Sequence, residues 1–162
     1  MVELDRDDGG IAPHQPSGWG GQARYCGGMS RENIEAVRRI YDDGLIDRDP
    51  GSWLLDRATP DIEYVNPPNA VEPGIRHGPD DVVRAMRGFA EVWEESRHEL
   101  HELFDCGDAV VATVTWYTRS RQSEQELTQE EAHTWTFREG RISRFEWGQD
   151  LAMALAAAEH RN

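Results

Sequence analysis

Apolar positions first take a helical spacing just past Ser30. Ile34, Val37, Tyr41 and Leu45 fall at i, i+3, i+7 and i+11, one stripe of a helix, with Glu32, Glu35, Arg38 and Arg39 on the other face. Ser30 suits the N-cap. Asp49-Pro50 reads as N-cap and first turn of a short second helix that carries Trp53, Leu54 and Leu55 and ends before Pro60. Residues 61–66 alternate as a short strand, stopped by Pro67-Pro68. Residues 67–78, with Pro67, Pro68, Pro73, Gly74 and Gly78, predict a loop. Pro79 opens a third helix whose stripe is Val82, Met86, Phe89 and Trp93.

From about residue 97 the period changes to two. Strands are predicted over 97–104 and 109–118, joined by the turn-rich Asp105-Cys106-Gly107-Asp108. After a polar connection, 128–137 and 141–149 form a hairpin across Arg138-Glu139-Gly140. Asp150 caps a last helix ending near Glu159. Helices followed by consecutive strands define an α+β domain: a curved antiparallel sheet wrapped over three helices, forming a conical pocket.

Residues 1–28 break this order. Glycines 9, 10, 18, 20, 21, 27 and 28, with Pro13 and Pro16, interrupt scattered apolar residues that have no period. We read 1–28 as a disordered tail and 29–162 as the domain. The alternative for the tail is an arm that docks through Trp19 and Tyr25, and Met29 is a second candidate start.

Composition removes several function classes. The net charge is −14, which argues against a nucleic-acid backbone as partner. No apolar run approaches the roughly 20 residues of a membrane helix. No charged start leads into an apolar stretch, which argues against a secretory signal and for a cytoplasmic setting. Every one of the 17 basic residues is Arg. Without Lys there is no Schiff-base anchor and no phosphate-loop Lys. Cys26 and Cys106 are too few and too separate for a disulfide framework or a Cys-rich zinc site.

Alternation assigns the inward side chains. Glu131, His133, Trp135 and Phe137 share one face. Val110, Ala112, Val114 and Trp116 share another, as do Phe145, Trp147 and Gln149, and Ile62, Tyr64 and Asn66. Aromatic walls with a few convergent polar groups describe a small-molecule pocket. His98-x-x-His101 invites a metal reading. Residues three apart on a strand point to opposite faces, so we read the pair as a solvated strand edge and expect no metal site. His77 reads as an exposed loop residue, with closure of the pocket mouth as the alternative.

Several stretches together resemble the SnoaL-like branch of the nuclear transport factor 2-like superfamily, alongside ketosteroid isomerase. They are SRENIEAVRRIY at 30–41, PDIEY at 60–64, GPDDV at 78–82, DCGDAVV at 105–111 and HTWTFREGRI at 133–142, and the resemblance runs from about 29 to 159. It implies a first-helix Tyr that donates to a developing enolate oxygen, matched by Tyr41. It implies a second donor on the penultimate strand, a neutral Asp in the isomerase, matched here by His133. The isomerase base is an Asp before a Pro; here the place holds Asn66 before Pro67, and an amide is not basic. Glu131 is then the nearest inward carboxylate. Cyclases of the family place a His and an acid on the last two long strands; His133 fits, but Trp147 stands where the acid belongs and Glu146 faces away.

The resemblance thus implies cofactor-free proton transfer next to a carbonyl, with Tyr41 and His133 stabilising an oxyanion and Glu131 moving the proton. Asn66 and Tyr64 would orient a small, mostly apolar ligand between Trp53, Phe89, Trp93, Trp116, Trp135 and Trp147. It also implies a homodimer packed sheet against sheet, compatible with outward Thr113, Thr115, Thr134 and Thr136. A non-catalytic binding or accessory protein is the competing class. Epoxide hydrolysis, which relatives perform with an Asp-Arg-Asp set, is the third, and no such inward set is evident.

Overall fold

The computed structural model describes residues 31–161; the stretch read as a tail lies outside them, as does Ser30. Helix α1 spans Arg31–Asp42 and buries Val37 and Tyr41 of the expected stripe together with Ile40, while Ile34 is partly buried and Leu45 lies beyond the helix. Strand β1 spans Ala58–Asn66, β2 Gly74–His77 and helix α2 Pro79–Glu91. Four long strands follow: β3 (Trp93–Cys106), β4 (Ala109–Ser120), β5 (Glu126–Arg138) and β6 (Arg141–Gln149). Helix α3, Leu151–Glu159, is capped by the Asp150 carboxylate, which accepts from the amides of Ala152 and Met153.

The strands form one six-stranded sheet in the order β2-β1-β6-β5-β4-β3. It is mixed rather than wholly antiparallel, because β1 and β6 run parallel. A register shift between Leu100 and Glu102 on β3, and another where β5 meets β6 between Ala132 and Thr134, mark bulges that bend the sheet. The curved inner face receives α1 and α2. Its core includes Val37, Ile40, Ile62, Val110, Val114 and Trp135. Each such fully buried side chain contributes about 1.5–3 kcal/mol relative to exposure.

Three expectations are corrected. The short second helix is absent; Leu45–Asp47 and Pro50–Ser52 are single 3₁₀ turns instead. The Asp49 carboxylate, which would have capped it, is taken by Arg87 in a two-bond pair at 2.6 and 2.9 Å. The 67–78 loop contains β2, which pairs with β1 from Glu63↔His77 to Asn66↔Gly74. Trp93 opens β3 opposite Ser120 rather than ending α2.

The last helix packs on the opposite, outer face of the sheet. Cys106, Ala109, Val111 and Ala132 form a second core on the outer sheet face with Ala154 and Ala158 of α3. Small side chains on both elements let the helix lie close to the strands. Thr113, Thr115 and Thr134 are on this outer face and are hydrogen-bonded within the chain, to the Glu102 amide, His101 and Gln149.

Candidate functional site

A cavity of about 390 Å³ opens between the curved sheet and the segment that joins α1 to β1. Tyr64, Phe89, Trp116, Phe145 and Trp147 form apolar walls, and His98, Glu131 and His133 converge at one end. This is the division of labour a small-molecule pocket needs. Neither polar side chain of the β5 pair is solvated: His133 is 2% and Glu131 3% exposed.

Alternation along β5 places Glu131, His133 and Trp135 in a row, and a chain of hydrogen bonds fixes them. Trp135 Nε1 donates to the Tyr41 hydroxyl at 3.0 Å. That hydroxyl lies 2.7 Å from His133 Nδ1, and His133 Nε2 lies 2.6 Å from Glu131 Oε1. Gln129 Nε2 donates to the other Glu131 oxygen at 2.9 Å. Burial pushes the Tyr41 phenol far above its usual value, with the Trp135 bond opposing, so the hydroxyl keeps its proton. Burial also lowers the His133 pKa, against the pull of Glu131. The arrangement that satisfies every group is then Tyr41 O–H donating to Nδ1 and neutral His133 donating Nε2–H to the Glu131 carboxylate.

His98 corrects the strand-edge reading. It sits opposite Trp116 in the β3–β4 register and stacks on it, centroids 6.0 Å apart and planes 13° apart. Its side chain is only 11% exposed and lines the cavity. Asp47 grips it twice, Oδ1 at 2.7 Å from Nδ1 and Oδ2 at 3.0 Å from the backbone amide. Nδ1 is therefore occupied, and Nε2 is the nitrogen left for the cavity. The alternation Ser96, His98, Leu100 against Arg97 and Glu99 carried this signal. His101 does point the other way, to Thr115 on the outer face, at 2.6 Å.

The remaining sequence candidates separate into three groups. Tyr64, Phe89, Trp116 and Trp147 line the cavity. Tyr41, Trp53 and Trp135 do not; they form the packed layer behind it, where Trp135 stacks on Phe145 at 3.9 Å. Tyr41 therefore reaches the cavity only through His133. Asn66 and Trp93 line a neighbouring cavity instead. Asn66 accepts from Trp147 Nε1 at 3.0 Å and donates to the Glu72 carbonyl at 2.8 Å, a latch rather than a base. His77 is exposed on β2, 3.6 Å from Glu63. Glu146 faces away from the cavity, bound by Arg144 and Arg161.

His98, Glu131 and His133 offer donor atoms within 4.8 Å of one another, a set that suits a divalent metal by ligand type. The 2.6 Å separation of Glu131 and His133 is that of a hydrogen bond. Two ligands of one ion stand farther apart, about 3 Å or more given metal–ligand bonds near 2.1 Å.

A cone-shaped α+β domain with a ring-walled pocket and a buried polar end is the class that fold and site define. The SnoaL-like domain signature matches residues 37–145, so the chain belongs to that family. No curated protein matches significantly. Among solved structures, an NTF2-like protein of unknown function from Burkholderia pseudomallei is similar at 26% identity, covering 79% of this chain and 97% of its own, with a TM-score of 0.63. TerC, co-crystallised with polyporic acid, is similar at 27% identity, with 79% and 98% coverage and a TM-score of 0.62. A putative SnoaL-like polyketide cyclase from Jannaschia sp. CCS1 shares the fold at 18% identity, with 86% and 98% coverage and a TM-score of 0.62. No helix of the described residues is long and apolar enough to cross a membrane.

Proposed function

We propose that this chain binds a small, mostly apolar carbonyl compound in the inner cavity and moves a proton beside its carbonyl with its own side chains. The observation that carries this reading is the buried Glu131–His133 pair at the polar end of an otherwise apolar cavity. Glu131 takes the proton from the carbon next to the carbonyl, and the C–H electron pair flows into an enolate. In its imidazolium form, paired with Asp47 at Nδ1, His98 donates Nε2–H to the enolate oxygen. Return of the proton from Glu131 to a different carbon completes an isomerisation. His133 holds Glu131 in place, and Tyr41 and Trp135 hold His133; these three are positioning residues. The TerC complex with polyporic acid supports a small organic ligand in this fold. A homodimer packed through the outer sheet face accompanies this reading, and sedimentation velocity tests it.

The test is hydrogen–deuterium exchange at the α-carbons of 2-tetralone, followed by NMR in D₂O. Wild type should accelerate exchange over buffer, and Glu131→Gln should lose about 100-fold of that acceleration while calorimetry shows binding retained. Exchange at the buffer rate, or an unaffected Glu131→Gln, overturns the catalytic reading. Binding without exchange favours a non-catalytic binding protein, the reading that the latch role of Asn66 supports.

A further inference from the structure

A second cavity, of about 790 Å³, adjoins the first. Phe89, Trp116 and Trp147 line both. Phe89 stands 5.0 Å from Trp147 and 5.3 Å from Trp116, centroid to centroid, so side chains form the partition. Trp93 meets Trp116 edge-on at 5.1 Å on the outer side. Gln129 lines the outer chamber and donates to Glu131, which lines the inner one. The latch at Asn66 fixes Trp147, and with it one edge of the partition.

The outer chamber is lined by apolar residues and by the charged Glu72, Arg76, Asp81 and Arg84. Val71, Val92 and Leu127 line this chamber and are 102%, 55% and 45% exposed. Exposed apolar side chains that line a cavity offer area for an apolar ligand to cover. Behind that aliphatic rim the partly buried floor is aromatic, and rings favour offset or edge-on contact with another flat π system. The inner chamber alone, at about 390 Å³, lies near the lower limit of ligand pockets, about 300–1,000 Å³, so an elongated ligand extends beyond it.

We propose that the two chambers form one bipartite site for an elongated carbonyl or phenolic compound with linked aromatic rings. A carbonyl oxygen lies against His98, or a phenol hydroxyl between His98 and Glu131, and the far ring lies among Phe89, Trp93, Trp116 and Trp147. This rests on the reading above that the inner chamber takes the polar end, and it adds the shape of the ligand.

Gly88 provides the test. It lines the outer chamber from α2, and a Cβ built there meets nothing within 4 Å. Gly88→Leu plugs the chamber while improving the helix, so folding is retained. Phenol, 4-phenylphenol and 4-cyclohexylphenol are titrated calorimetrically into the full-length protein. Wild type should bind 4-phenylphenol at least about tenfold more tightly than phenol, and more tightly than the non-planar 4-cyclohexylphenol. Gly88→Leu should remove that advantage and leave the phenol affinity unchanged within about twofold. An equal affinity for phenol and 4-phenylphenol in wild type, or an advantage that survives Gly88→Leu, overturns the bipartite site. Parity with 4-cyclohexylphenol overturns the aromatic assignment. Absence of phenol binding with Gly88-dependent 4-phenylphenol binding instead overturns the inner-chamber reading and the placement of the oxygen built on it. Loss of a wild-type dimer in Leu127→Asp, seen by sedimentation velocity, would show that the rim serves a second copy, and would overturn the proposal.

Discussion

Replacing Tyr41 with Phe removes one oxygen atom and keeps the ring, so it creates no cavity of consequence. The hydroxyl is the partner of both Trp135 Nε1 and His133 Nδ1. His133 and Trp135 are both fully buried, so water does not replace it. Each buried group left unpaired costs about 1–3 kcal/mol, partly offset because the variant no longer desolvates a hydroxyl. The net loss is about 2–4 kcal/mol, which in a domain of this size lowers Tm by about 6–15 °C. Urea unfolding at pH 7.5, followed by circular dichroism, should show a lower midpoint and an unchanged slope. In the double variant with Trp135→Phe the two losses should add to less than their sum, because both remove the same bond. A Tyr41→Phe loss below about 0.5 kcal/mol, at the low end of a single hydrogen bond's net contribution, would refute the hydrogen-bond chain and free Tyr41 for another role.

Three further outcomes follow from the same physics. His133 binds its proton less readily when folded, because burial disfavours the cation; stability is therefore full above the unfolded value of 6.5 and falls as pH drops below it, and His133→Gln should flatten that slope in urea titrations between pH 7.5 and 5. Gly148 has φ +67°, and a Cβ there would stand 3.0 Å from Pro67 Cγ, so Gly148→Ala should cost about 1–2 kcal/mol by thermal unfolding, a loss that Gly88→Ala should not show. Asn66→Leu should release the Trp147 indole from its acceptor and change the tryptophan emission spectrum with little change in Tm, whereas retained basal catalysis in Asn66→Asp would show only that this position does not supply the base.

What the chain made legible was local. The spacing Ile34, Val37, Tyr41 marks most of the buried face of α1, and Asp150 announces α3 as the residue just before it. Period-two alternation along β5 put Glu131, His133 and Trp135 on one face, where they are found. What it hid was non-local. Strand β2 is four residues long and almost wholly exposed, so it shows no alternation. The parallel pairing of β1 with β6 joins residues some 80 positions apart. Tyr41 and His133 meet across 92 positions, and no periodicity says that the phenol lies behind the imidazole rather than beside it. The inward place of His98 is readable from the Ser96–His98–Leu100 alternation, whereas its spacing to His101 alone suggests a solvated edge. Its partner Asp47 lies 51 positions away in a 3₁₀ turn.

The central claim is that a ligand's carbonyl oxygen meets His98 inside the inner cavity while its α-carbon lies beside Glu131. A crystal structure of the protein with 2-tetralone tests it most directly. The account predicts the ketone oxygen within about 3 Å of His98 Nε2, the α-carbon beside the Glu131 carboxylate, and the ring against Phe89 and Trp147. Electron density for the ketone anywhere else, or an inner cavity closed by repacked side chains, would contradict it.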